Sequence, residues 1–444
     1  MKLKANIFII LIIIALLLFA VFILLFNPME SNNKNSESVI EKTPVGVLDI
    51  NTELKEYNYT SGDKSYKIVY ADGSWSVNGK KNIKLESSAV YNMIYTISNL
   101  KTNTVVEENA TDLSKYGLLN PAATVVIIDV NETIYSVKIG FQTSTQSGYY
   151  AVINDETKVF VLSTEDYDIL CGGIDSLRKK NIISINGDIY SITISNPKTK
   201  MTISPKTTSN VNASSFSKWE MIIPYHKDVN EYIFEENVIN ALDFTVIDFV
   251  DDNPVNYTDY GLDIPKYTIE LNTTKTSYKI LLGNTVDGNK IYMKLSDEPN
   301  IYTISKDSVK YRDFTPVYLL DSLVFSRNIS AVERIVFKHD SIFEMNIKDD
   351  KFSVNGLEVD EELFRGTYLT FISSIISGEA DKDKIGNEIC RYTFNYNTGT
   401  PSETVIFYEY EEMYSAVSIN GVTEFYVKRS YVNDMIESIK NLAE

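Results

Sequence analysis

Enzymes and metalloproteins announce themselves by a few side chains at telling distances, and this chain offers few of them. It has two histidines, His226 and His339. A Ser-His-Asp triad needs a histidine as its base, but neither lies near a nucleophile elbow, and both read as ordinary surface or core residues. Ser-x-x-Lys occurs at Ser98–Lys101, Ser195–Lys198 and Ser215–Lys218. The Ser-Asp-Asn and Lys-Thr-Gly partners of a penicilloyl-type serine enzyme are missing, so these are chance matches. Two stretches come close to a phosphate loop. Gly73–Lys80 has five residues between its glycines instead of four, and Gly283–Lys290 has Asn289 in the lysine slot. Both fit hairpin turns better.

Oxygen-rich clusters stand at Asp251-Asp252-Asn253 and Asp381-Lys382-Asp383. Such loops can hold calcium, but neither has EF-hand spacing, and both read as solvated acidic loops. Paired glycosidase carboxylates cannot be picked from 60 acidic residues without geometry. Cys171 and Cys390 lack metal-ligand spacing and read as small buried hydrophobes, and the sequence leaves open whether they pair. Tyrosine is the dominant aromatic, with 30 copies. Tyr149, Tyr150 and Tyr292 recur at equivalent places. They are the candidate interaction surface, because exposed tyrosines stack on sugars or build interfaces; the competing reading is sheet packing. No catalytic residue, cofactor or metal ligand is expected.

The formal net charge of −18 repels phosphate backbones, which argues against nucleic acid as a partner. Ile7–Phe26 is a run of 20 residues with no charged or polar side chain. As a helix it spans about 30 Å, the thickness of a bilayer core. It exceeds a signal-peptide apolar region, and no small-x-small cleavage site follows. Lys2 and Lys4 precede it, and positive residues stay cytoplasmic. The expectation is therefore a single-pass anchor in the lipid bilayer with the bulk of the chain outside. Residues 1–27 are assigned to the cytoplasmic stub and anchor, and 28–50 to a polar linker.

Self-comparison sets the organisation beyond that point. Trp75 and Trp219, the only tryptophans, stand 144 residues apart. Tyr-Gly-Leu-x-x-Pro occurs at Tyr116–Pro121 and Tyr260–Pro265, at the same offset of 144. Runs ending in Gly140 and Gly283 follow, then Tyr150 with Tyr292 and Phe160 with Tyr302. Ser76-Val77-Asn78-Gly79 returns once more as Ser353-Val354-Asn355-Gly356. The repeat units are set at 51–185, 186–328 and a shorter, divergent 329–444.

Within a unit, Tyr66–Tyr70 and Ser74–Val77 read as strands joined through Asp72-Gly73. Glu86–Leu100 reads as a helix with Val90, Ile94, Ile97 and Leu100 as its stripe. A strand follows near Val105 and Val106. Gly117 supplies a corner and Pro121 opens a strand. Ala123–Val130, Tyr135–Ile139, Tyr149–Ile153 and Val159–Leu162 form a meander. Ser163 and Thr164, with Glu165 and Asp166, start a helix carrying Tyr167, Ile169, Leu170 and Leu177. In unit three Asp360 caps a helix with Leu363, Tyr368, Phe371, Ile372 and Ile375 as its apolar side. The expected class is α+β: an N-terminal transmembrane helix, then two or three tandem repeats of an antiparallel sheet packed with helices.

Trp75, the long helix, Tyr116-Gly117-Leu118-x-x-Pro121, Ile139-Gly140, Tyr149-Tyr150 and Val159-Phe160-Val161 resemble the DUF4340 family of bacterial domains. Trp219 and Tyr260-Gly261-Leu262-x-x-Pro265 repeat the pattern. The resemblance implies a membrane-anchored accessory role on the outer face of an ABC-type transport system of the gliding kind, with permease subunits as partners. It supplies no catalytic residues. The resulting expectation is a non-enzymatic accessory protein. A wall-glycan or peptide binding module is the alternative, and an envelope hydrolase without a recognisable motif a third.

Overall fold

The computed structural model describes residues 43–206, 217–242, 244–349 and 351–444. The expected anchor Ile7–Phe26 and most of the expected linker lie outside the described residues. Among the described residues no helix is long and apolar enough to cross a membrane.

Three large antiparallel sheets follow one another along the chain, each drawn from a continuous stretch. The first runs, edge to edge, Ser74–Val77, Lys64–Ala71, Leu54–Ser61, Ala123–Asp129, Ile134–Gln142, Gly148–Ile153, Val159–Ser163 and Val105–Glu107. Each unit thus begins with three hairpin-linked strands. The chain then crosses the sheet by a helical segment, adds a short strand at the far edge, and returns through a four-strand meander. The second sheet repeats this order from Ile189 to Ser305 and the third from Val332 to Lys428, each with one further two-residue strand on its first edge, Lys227–Asp228 and Leu357–Glu358. The third sheet therefore keeps the topology of the first two. Its difference lies where the Tyr-Gly-Leu corner is replaced by a short turn at Lys382–Lys384. Sheet predominates, with few helices, so the balance is richer in strand than the α+β expectation.

Local chemistry explains the boundaries. Asp72 and Gly73 take φ of 52° and 79°, the left-handed pair that a tight two-residue hairpin needs. Ala123–Asp129 alternates buried and half-buried residues, as a strand with one face on the core must. The long helix is Ser87–Ser98 and buries Val90, Met93 and Ile97. Met93, rather than the expected Ile94, completes the stripe, and Leu100 is buried beyond the helix end. Ser163 caps Thr164–Cys171 by accepting the Asp166 N–H, which satisfies one orphan donor. Leu177 sits on a following short turn, Ile174–Leu177. Asp360 caps Glu361–Ile372 through the Glu362 and Leu363 N–H groups. That helix buries Phe364, Thr367, Tyr368 and Phe371, whereas the expected Leu363 is 63 % exposed and Ile375 lies past its end.

Residues 45–50, assigned to the polar linker, are folded. Val45–Gly46 pairs with Lys101–Thr102, and Leu48 and Ile50 are buried. Leu54–Ser61, a strand that composition hides, buries Leu54, Tyr57 and Tyr59. The main core of unit one is separate, while those of units two and three are continuous. Buried hydroxyls tie sheets to helices: Tyr57 donates to the Leu170 carbonyl and Tyr392 to that of Phe371, both at 2.7 Å.

Candidate functional site

The repeated corner comes first, because the three singled-out tyrosines belong to it or lie beside it. Gly117 and Gly261 adopt φ of 73° and 68°, a region closed to most side chains. A Cβ on Gly140 would lie 2.1 Å from the Tyr116 carbonyl oxygen, and one on Gly283 the same distance from that of Tyr260. The corner therefore rests directly on strand backbone, which is why both strands carry glycine there. It covers the sheet face opposite the main core, closing a small cluster of Ala110, Leu118, Val152 and Val159. Tyr116 donates to Glu107 at 2.7 Å, and Lys115 pairs with the same carboxylate. Hydrogen bonds from Lys115 and Tyr116 hold the Glu107 carboxyl below its ordinary value.

Tyr150 packs on Tyr116 at 4.9 Å between ring centroids, and Tyr292 on Tyr260 at 5.1 Å. Tyr149 faces the other way and stacks on Tyr167 at 3.7 Å. All three are half-buried. Adjacent strand residues point to opposite faces, so Tyr149 and Tyr150 do not share a surface. Their rings serve the packing of sheet, corner and helix.

In unit two a buried lysine, Lys294, takes the place of the apolar Val152. Its ammonium sits 4.9 Å from the Tyr257 ring centroid and 3.5 Å from the Ser296 carbonyl oxygen. Burial pushes its pKa down, against the pull of Asp297 and Glu298.

The histidines and cysteines stay apart. His226 is largely exposed, and His339 donates through Nδ1 to the Ile389 carbonyl at 2.9 Å when that nitrogen carries the proton. Cys171 and Cys390 are both free, and burial pushes each thiol up to about 12. Among the described residues no group of His, Cys, Asp or Glu is arranged to hold a metal ion. Asp252, from one acidic cluster, is engaged by protein cations, and Asp381, from the other, caps Lys382–Lys384. Gly73 and Gly288 turn hairpins, as expected of the failed phosphate loops, while Gly79 takes a left-handed turn after the edge strand and Gly283 lies within a strand.

Buried and half-buried polar groups also gather at the joints between units, among them Arg178, Asn300 and Lys227. After unit one, Leu177–Lys179 runs beside the start of that unit's long helix. The Leu177 carbonyl accepts from Glu86 N–H at 2.8 Å, and Lys179 N–H donates to the Lys84 carbonyl at 2.9 Å. The next residues pair with the approach to unit two's edge strand, where the Lys180 carbonyl accepts from Val246 N–H. After unit two the pattern repeats: the Leu319 carbonyl accepts from Asn230 N–H, Asp321 N–H donates to the Asp228 carbonyl, and the Ser322 carbonyl accepts from Ile376 N–H. Each joint is thus a strand-like linker held between two units. Val45–Ile50 takes the corresponding place on unit one's own edge-strand approach.

Side chains lock these linkers. Arg178, with 4 % of its side chain exposed, grips Asp252 with both terminal nitrogens and lies 3.9 Å from the Phe249 ring centroid. Asn300 donates to the same carboxylate at 2.7 Å. At the second joint the Lys227 ammonium donates to the Leu323 carbonyl at 2.6 Å. Burial lowers its pKa, against Asp321 and Asp228. The sequence reading missed both joints. No motif marks them: the matching linker residues are Leu177-Arg178-Lys179 and Leu319-Leu320-Asp321, which share only the leucine.

Fold and joints together define a tandem array of one sheet unit, each copy stitched to the next by a linker that pairs like a strand. The chain belongs to the DUF4340 family, described as a domain of unknown function; the family profile matches residues 75–236 and 219–363. Each match begins at a tryptophan strand and runs through the following joint into the next unit, so the joint is part of the family's repeating pattern. Comparison with curated proteins and with solved structures returned no match.

Proposed function

We propose that this chain is a membrane-anchored extracytoplasmic accessory protein, a non-enzymatic partner of an ABC-type transport or envelope complex. The observation that carries the reading is one combination. An uncharged run of 20 residues, Ile7–Phe26, precedes tandem sheets whose linkers are held by backbone pairing and by Arg178 and Lys227. Arg178, Lys227 and Asp252 face protein partners rather than an open cleft. Such an array suits holding and spacing other proteins at a membrane surface. Solubilisation in mild detergent followed by pull-down tests it. Stoichiometric recovery of a permease subunit is the expected result, and a free monomer would overturn it.

A polar hollow supports the second reading, a glycan or peptide binding module. Arg334, Asn346, Asn395, Tyr396, Thr400 and Ser402 line an open depression of about 510 Å³ on the third sheet. Amides and an arginine beside a tyrosine suit a polyhydroxylated ligand. Sedimentation with purified wall material tests it, and no retention would remove it.

A further inference from the structure

The joints expose a difference between unit three and its two sisters. In unit one the Lys84 carbonyl and Glu86 N–H, on the short extended segment before the long helix, are both satisfied by the linker Leu177–Lys179. In unit two the Asp228 carbonyl and Asn230 N–H are satisfied in the same way by Leu319–Asp321. The matching atoms of unit three are the Glu358 carbonyl and the Asp360 N–H. Leu357–Glu358 is the edge strand of the third sheet. Val359 N–H donates inward to the Phe352 carbonyl at 3.0 Å, so by strand alternation the groups of Glu358 and Asp360 face outward. Among the described residues no segment runs beside this edge.

Burial reports the same difference. Val229, under the second linker, is 1 % exposed, whereas Val359 is half-buried and Leu357 is 70 % exposed. The edge is also strongly acidic. Glu358, Asp360, Glu361 and Glu362 are all exposed, and among the described residues only Glu361 has a cation, Arg365, at 2.7 Å. An open hollow of about 600 Å³ borders it, lined by Asp360–Glu362, Arg365, Gly366 and Leu369. In unit one the segment filling the matching edge is Leu177-Arg178-Lys179 and in unit two it is Leu319-Leu320-Asp321; the leucine is common to both, and the preference for cations at unit three comes from its own four carboxylates.

We propose that the Glu358–Asp360 edge is a strand-acceptor site for an extended basic segment of a partner polypeptide, of the kind Leu-(Arg/Lys)-(Arg/Lys). The partner's leucine carbonyl accepts from Asp360 N–H. The amide two residues later donates to the Glu358 carbonyl, as Leu177 and Lys179 do in unit one. Main-chain bonds set the register, as in strand addition generally, and the four carboxylates select positive charge. This inference deepens the accessory-protein reading and rests on it, by giving the chemistry of a docking segment.

The test uses the intact chain in detergent and a synthetic peptide copying Ile174–Asn181, measured by fluorescence anisotropy and by hydrogen exchange. A second peptide carries an N-methyl group on the amide matching Lys179 and is otherwise identical. The first peptide is expected to bind and to slow exchange at Asp360. The methylated peptide, lacking one donor, is expected to bind about tenfold more weakly. Equal binding of the two would reduce the effect to charge and overturn the site, as would no binding at all. Either failure leaves the membrane pull-down untouched, so the two readings fail separately.

Discussion

Replacing Gly140 by alanine tests the corner, the most specific repeated feature of the fold. The new Cβ would stand 2.1 Å from the Tyr116 carbonyl oxygen and 3.0 Å from the Gly117 carbonyl carbon, well inside van der Waals contact. The obstacle is backbone, so no rotamer change relieves it, and the corner must retreat by more than an ångström. Overpacking of this kind costs about 1–3 kcal/mol. The retreat also uncovers part of Leu118, now 2 % exposed, whose full burial is worth about 1.5–3 kcal/mol. The expected loss is about 2–4 kcal/mol in unit one. The tryptophans provide a reading by unit, since Trp75 packs on the core of unit one and Trp219 on the core shared by units two and three. Urea unfolding of Trp75→Phe and Trp219→Phe backgrounds resolves the two transitions. Gly140→Ala should move the Trp75 transition to lower urea and leave that of Trp219 nearly in place; Gly283→Ala should do the reverse. An unchanged Trp75 transition in Gly140→Ala would refute the reasoning, because the contact would then not constrain the fold.

Removing Asp252 leaves the buried Arg178 guanidinium only Asp175, at 3.4 Å and largely exposed, so Asp252→Ala should cost about 2–4 kcal/mol at the first joint; Arg178→Met with Asp252→Ala should recover part of it in a double-mutant cycle read from both tryptophans. Glu403 is half-buried, which raises its pKa, but hydrogen bonds from Arg327 and Tyr396 outweigh that and hold it below its ordinary value. Its contribution is therefore present above the unfolded carboxylate pKa and lost as pH falls through the lower folded value. The stability gap between native protein and Glu403→Gln should be full at neutral pH and close as the pH falls below the ordinary carboxylate range. Burial holds both thiols near 12, so Cys171 and Cys390 should react with a disulfide reagent at pH about 8 only slowly in the native state and rapidly in urea.

What was legible in the sequence was local. The Ser163 and Asp360 caps, the Asp72-Gly73 turn and the left-handed Gly117 are each decided by a few neighbouring residues. The role of Gly140 was visible only as a recurring landmark, since its cause lies in the backbone of Tyr116, distant in sequence. Helix faces were misjudged by one position, Ile94 for Met93 and Leu363 for Phe364, because adjacent apolar residues compete for one stripe and only tertiary packing chooses between them. Leu54–Ser61 was overlooked because Lys55, Glu56, Asn58 and Thr60 interrupt its buried residues. The three tyrosines were found as a pattern, but pleating sends Tyr149 and Tyr150 to opposite faces. The joints lay beyond reach because Arg178 meets Asp252 across 74 residues, and the two linkers, Leu177-Arg178-Lys179 and Leu319-Leu320-Asp321, share only a leucine and a backbone pattern.

The central claim is that these sheets stand outside the cell membrane on a tether that stays in the lipid. Carbonate washing of membranes, followed by protease added to intact spheroplasts, tests it most directly. The account predicts that the full-length chain resists the wash and that external protease removes residues beyond about position 43, leaving a short membrane-embedded stub. Recovery of the full-length chain in the wash without detergent, or protection of the sheets from external protease, would contradict it.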